Sequence, residues 1–267
     1  MIGKKELSEA LSLSCVENYF LPWLNQYYDI RNLYGKDFLS VKEILIDFNN
    51  GALYENYYGI KRIQDVAESY GITKHQFYQA NFDELLKLIQ NDNLILIRVN
   101  HNFFKTYKRR AWREDHYIMI DKELNWLNQY PLSDGKFTLE ELKEVYDGVV
   151  CIYQINNLNI KFNDNLSLKL INQDFTNIKI PYAITSLEGA VGVLRITRKR
   201  LKEYYHNILV IQEILNEEIT YLDKLYFQIR LIELKGLGDK CLEDLIEPII
   251  KYEKRIMEAL ENEENRT

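Results

Sequence analysis

The spacing of apolar residues changes between about residues 156 and 183, and that change sets the architecture. From Ile184 they recur at three and four: Leu187, Val191, Leu194, Leu201, Tyr205 and Ile208, then Leu215, Ile219, Leu222, Tyr226 and Ile229. A last series carries Leu242, Leu245, Ile249 and Ile256, after "KGLGDK" at 235–240 breaks the pattern. A period near 3.6 gives each segment one apolar stripe, so this part predicts a bundle of about three long helices.

Upstream, short helices precede short strands. Helices are expected from Cys15 (capped by Ser14, with Glu17 three later), over Ser40–Phe48, over Ile60–Tyr70 with Gly71 as the stop, over 81–92, and over 137–148 ending at Gly148. Pro22 should bend or end the first of these. Strands are expected at "TKHQFYQ", at "NLILIRVN" (93–100), at "HYIMI" (116–120), at "LNWLNQY" (124–130) and at "VVCIYQI" (149–155). Helices first and strands later predict an α+β domain over 1–156. Residues 157–182 read as an Asn-rich connector with short strands near Ile160–Phe162 and Leu166–Leu170, and 183–267 as the helical region.

Composition excludes several classes. Lys+Arg 34 against Asp+Glu 40 leaves a net charge of −6, which argues against a nucleic-acid binder. Three cysteines form no disulfide framework and suit a reducing compartment. The N-terminal "MIGKKELSEA" lacks the apolar core of a signal peptide, and no run of eighteen apolar residues suggests a membrane span. A cytoplasmic location is therefore expected. No His/Cys cluster at metal-ligand spacing and no glycine-rich phosphate loop is present, so neither metal nor cofactor is expected.

Three positions invite a chemical reading. Cys15 stands first in a capped helix, where free N–H groups and the positive dipole end favour a thiolate. The alternative is a small apolar residue packed in a core. Cys151 lies inside an apolar strand, and Cys241 lies in the bundle region. A thiol nucleophile needs a base, and the histidines are His75, His101, His116 and His206. His116 opens a strand directly after a polar loop. If "DKE" is a three-residue hairpin loop, Ile120 pairs with Leu124 and His116 with Asn128, whose amide would then orient the ring. A slip by one residue would remove that contact. Asp134, in the turn-like "LSDGKF", is the other candidate for the third position.

The order Cys, His, then Asn is that of papain-like enzymes. "SCVEN" at 14–18, "NLILIRVNHNFF", "DHYIMI" at 115–120, "LNQYP" and "FTLEELKEVYDGVVCIY" resemble the N-terminal domain of the butirosin biosynthesis protein H family, related to C39-type peptidases. The likeness covers about residues 10–156, and in overall organisation the chain is similar to the closthioamide-type amide synthases. The resemblance implies a papain-like (C39-like) fold followed by an α-helical bundle. It also implies an acyltransferase that takes an acyl group from a carrier-protein thioester and passes it to a primary amine. Phosphopantetheine belongs to the carrier partner. Cys15 would be the nucleophile, His116 the base and Asn128 the orienting residue. The Gln usual six residues before the Cys is here Glu9, so Asn18 or backbone N–H groups would bind the oxyanion.

Two further stretches fit this reading. "KTYKRRAWR" at 105–113 holds five basic residues, including Arg109 and Arg110, and would dock an acidic carrier; it reads equally as a solvated loop. Tyr54 and Tyr57 in "ALYENYYG" would line an acyl pocket or pack the loop onto the domain. A cysteine peptidase of the C39-like type would use the same triad with water as acceptor, and a non-catalytic helical interaction module would use none of it. The apolar faces of the bundle suit a cavity wall or a homodimer.

Overall fold

The computed structural model describes residues 2–35, 38–52, 63–90, 93–106, 116–129, 131–158, 166–181, 183–235 and 243–265. The chain divides into two compact units: Met1–Asp29 with Arg62–Ile160, and Ile30–Lys61 with Lys161–Thr267. The sequence texture puts one domain at 1–156, a connector at 157–182 and a helical region at 183–267; in the folded chain, 30–61 belongs with the C-terminal helices.

The first unit is α+β. Its helices are α1 (Lys4–Glu9), α2 (Cys15–Leu24), α4 (Phe82–Leu88), α5 (His101–Thr106) and α6 (Leu139–Val145); α3 (Val41–Asn49) belongs to the other unit. Its strands are β1 (Ile72–Tyr78), β2 (Leu94–Val99), β3 (His116–Ile120), β4 (Asn125–Asn128), β5 (Ser133–Lys136) and β6 (Tyr146–Ile155). They form one sheet in the order β1-β6-β2-β3-β4-β5, with every neighbouring pair antiparallel.

Alternation along the strands splits the apolar residues between two faces. Ile95, Ile97, Ile118, Ile120, Trp126, Val150 and Ile152 share one core with Leu85 of α4, Phe103 and Phe104 of α5 and Leu142 of α6. Leu96, Met119 and Cys151 are register partners on the opposite face, next to Tyr153, which α2 covers by stacking Phe20 edge-on at 4.9 Å. The run "YFLPWL" explains that position. Tyr19, Phe20, Leu21, Trp23 and Leu24 are all buried, so α2 is apolar nearly all round. Burying each such side chain contributes about 1.5–3 kcal/mol, more than the interrupted bond at Pro22 costs. The helix accordingly runs through Pro22 to Leu24.

Two expectations in this unit and one in the other are corrected. The helix at 137–148 stops at Val145, because the Val145 carbonyl accepts from the Asn100 N–H at 2.8 Å and the chain enters β6. Gly148 lies inside β6 instead, at φ +74, where the pairing with β2 shifts register. A glycine there lets the strand absorb the extra residues. "SDGK" is an edge strand rather than a turn, and Gly135 makes it fit: a Cβ there would lie 2.7 Å from the Trp126 ring. In the second unit, Leu166–Leu170 is not a strand but lies in the helix α7 (Leu166–Ile171). Leu166 and Leu170 are buried in one cluster with Leu201 and Leu215, while Leu168, which a strand would place on the same face, is exposed. The Ile160–Phe162 expectation falls outside the described residues.

The second unit contains α3 (Val41–Asn49) and the long helices α8 (Ile184–Tyr204), α9 (Leu209–Lys235) and α10 (Glu243–Glu264). Leu187, Val191, Leu194 and Leu201 of α8, and Leu215, Leu222 and Ile229 of α9, are buried as their period requires. Among the described residues no helix is long and apolar enough to cross a membrane.

Candidate active site

The N-terminus of α2 is built by its own sequence. Ser14 is the N-cap in extended conformation, and its hydroxyl accepts from the Glu17 N–H at 3.1 Å. The buried Glu17 carboxylate reaches back to the Leu13 N–H at 2.6 Å. Asn18, also buried, donates from Nδ2 to the Ser14 carbonyl at 3.1 Å, and its Oδ1 accepts from the Ser12 hydroxyl. One N–H of the Asn18 amide is thus engaged in holding the turn, and Cys15 follows that turn as the first helical residue, half-buried.

His116 and Asn128 meet. His116 Nε2 lies 2.6 Å from Asn128 Oδ1. The amide is oriented from its other end, because Nδ2 donates to the Pro131 carbonyl at 3.0 Å. Oδ1 therefore faces the ring, Nε2 carries the proton, and Nδ1 is the basic nitrogen of the neutral imidazole. Asn128 is fully buried, His116 is half-buried, and the Phe104 ring packs edge-on against His116 at 5.1 Å.

The contact forms by a register other than the expected one. The turn runs from Asp121 to Asn125, with Leu124 at φ +63, and the strands pair Ile120 with Trp126 and Met119 with Leu127. Continued by one step, Asn128 stands opposite Ile118, two residues from the expected partner. A shift of two preserves the face, so His116 and Asn128 remain diagonal neighbours within side-chain reach. Asp134, paired opposite Leu127, shares the other face and forms an ion pair with Lys4 at 2.6 Å.

Helix α2 runs alongside β3 in the same direction. Tyr19 meets the strand at Tyr117, while Trp23, one turn on, lines a cleft of about 230 Å³ with Met119 and Ile120. One helical turn back from Tyr19 rises about 6 Å, or about two strand residues. Cys15, one turn before Tyr19, therefore lies towards the His116 end of β3. Cys15 is also near enough to Tyr19 for thiolate charge to raise the phenol's pKa further, although burial is the larger cause.

Tyr19 and Phe104 were not foreseen. Nothing local marks Phe104, whereas Tyr19 lies four residues after Cys15, the spacing of one helix face. Glu9, six residues before Cys15, is exposed at the end of α1. Tyr54, Tyr57, Arg109 and Arg110 lie outside the described residues, as does Cys241. Cys151 is buried in β6, and burial pushes its thiol up. Among the described residues no group of three or more His, Cys, Asp or Glu is arranged to hold a metal.

Comparison with protein-family models, with curated proteins and with solved structures gives no match to this chain.

Proposed function

We propose that the protein is a papain-like cysteine acyltransferase that forms amide bonds, with Cys15 as nucleophile, His116 as base and Asn128 as the residue orienting it. The observation that supports this reading is the hydrogen bond between His116 and Asn128, together with a cysteine as first residue of a capped helix. In the first step the Cys15 thiolate attacks a carrier thioester, and the bond from the acyl carbon to the phosphopantetheine sulfur breaks. The departing thiolate takes from His116 Nδ1 the proton that the Cys15 thiol gave it on ionising. In the second step a primary amine attacks the acyl-Cys15 carbonyl, His116 Nδ1 takes the amine proton, and Cys15 leaves as thiolate. Thioester exchange is nearly isoenergetic and the amide is far more stable, so the sequence needs no ATP. Backbone N–H groups at the α2 N-terminus supply the oxyanion donors, with Asn18 holding the turn that presents them. In this reading the basic sequence containing Arg109 and Arg110 recognises an acidic carrier, and the aromatic residues Tyr54 and Tyr57 are candidates to contact the acyl group.

Intact-mass analysis after incubation with an acyl-carrier protein tests the proposal. The expected result is an acyl adduct on the wild type that is absent from Cys15→Ala and discharges to an amide when amine is added. No Cys15-dependent adduct or amide would overturn it. Discharge to the free acid alone would assign a hydrolase instead.

A further inference from the structure

In the register of β3 and β4, Tyr117 and Gln129 stand directly opposite each other. The Asp121 N–H bonds to the Asn125 carbonyl at 3.0 Å, which fixes the alternation of bonded and non-bonded pairs. By that alternation 117 and 129 form a bonded pair, and the Gln129 N–H should donate to the Tyr117 carbonyl. It does not. The Gln129 N–H donates to the Tyr19 hydroxyl at 3.0 Å, and the Tyr19 hydroxyl donates to the Tyr117 carbonyl at 3.1 Å. A phenol from α2 has entered the ladder in place of one rung, with its side chain fully buried.

We infer that Tyr19 is a positioning residue of the site. Its hydroxyl ties the helix that starts at Cys15 to the two strand residues adjoining His116 and Asn128. The inference rests on the acyl-transfer reading for its kinetic consequence, but the bridge itself stands on geometry. Residues 117 and 129 are the immediate neighbours of His116 and Asn128, so the bridge sets how far β3 and β4 separate where those side chains meet. Tyr19 lies one turn from Cys15, so the same bond sets the depth and rotation of the helix carrying the thiol. Burial pushes the phenol far above its usual titration range, so it remains a donor at any working pH.

The Tyr19→Phe variant keeps the ring and its packing and loses only the bridge. Its control is Tyr146→Phe, which removes another phenol-to-backbone bond of the same unit, from Tyr146 to the Ala80 carbonyl at 3.0 Å. Three readouts are compared: amide hydrogen exchange at Gln129, kcat and KM with a small thioester, and the pH profile of Cys15 alkylation. Tyr19→Phe is expected to speed exchange at Gln129 by a few-fold to about tenfold. It should lower kcat about 10- to 100-fold with KM unchanged, and move the alkylation profile towards that of a free thiol. Tyr146→Phe should change none of the three. Unchanged exchange at Gln129 would overturn the bridge. Faster exchange with wild-type kcat and profile would overturn the positioning role, as would equal effects in the control. A wild-type Cys15 no more reactive than a free thiol would sink the acyl-transfer reading and with it the kinetic role, while exchange at Gln129 still decides the bridge.

Discussion

Asn128 is held at both ends of its amide, by His116 on the oxygen and by Pro131 on the nitrogen, and it is fully buried. Its loss removes the acceptor that selects the His116 tautomer. Asn128→Ala is therefore expected to lower kcat about 10- to 100-fold with little change in KM. Asn128→Asp keeps an acceptor on Nε2 but adds negative charge beside the ring, which favours the imidazolium. Its acid limb in a pH–rate profile should move to higher pH, and an unmoved limb would show that the residue does not contact the working histidine. At this scale the sequence was informative for residue type and weak for geometry. A cysteine behind a cap and a histidine opening a strand are visible in one dimension. The expected hairpin register differs from the observed one by two residues, and the Asn128 contact forms in both because a shift of two leaves strand parity intact.

Elements with local instructions were the most legible. The boxes Ser40/Glu43, Asn81/Glu84 and Thr138/Glu141 all close as reciprocal caps, because each needs only residues three apart. Gly71 is similarly local in its conformation, at φ +78, but its neighbours come from far along the chain. Its carbonyl accepts from the N–H groups of Asn156 and Asn157, and a Cβ there would lie 1.7 Å from the Asn157 carbonyl oxygen. Gly71→Ala should cost more than about 1 kcal/mol, read as a lower urea midpoint with unchanged slope. An unchanged midpoint would mean that the β1 and β6 ends are not locked together there. The edge strand Ser133–Lys136 was illegible because its residues favour turns; only pairing with β4 and the fit of Gly135 over Trp126 make it a strand.

On the scale of the whole molecule, the helical unit carries a charge arrangement that its stripes gave no sign of. Arg198 of α8, Glu218 of α9 and Glu253 of α10 are all fully buried. Arg198 Nε bonds Glu253 Oε1 and lies 3.6 Å from Glu218 Oε1, while Gln173 Nε2 donates to Glu253 Oε2 at 3.0 Å. One guanidinium faces two carboxyls. Burial, with the Glu253 charge added, pushes Glu218 well above the usual carboxylate range, against the pull of Arg198. The folded state therefore holds a proton that the unfolded chain releases near pH 4. Stability is full below that pH and falls as pH rises towards the folded pKa, by up to about 1.4 kcal/mol per pH unit. Glu218→Gln should flatten this dependence and raise the urea midpoint of the helical unit above pH 7. A wild-type slope retained in the variant would assign the proton elsewhere.

The sequence by itself determined what depends on nearest neighbours along the chain. That covers the caps, the strand runs, the α+β character of the first part, the long helices of the last, and a cysteine at a helix start. Tertiary structure alone decided the grouping of 30–61 with the C-terminal helices, the six-strand order, the phenol in the β3–β4 ladder and the single guanidinium between two carboxyls. The physical reason is range. Caps and periods are satisfied within a few residues, whereas a hydrogen bond from Tyr19 to Tyr117 or an ion pair from Arg198 to Glu253 joins atoms that only packing brings within 4 Å.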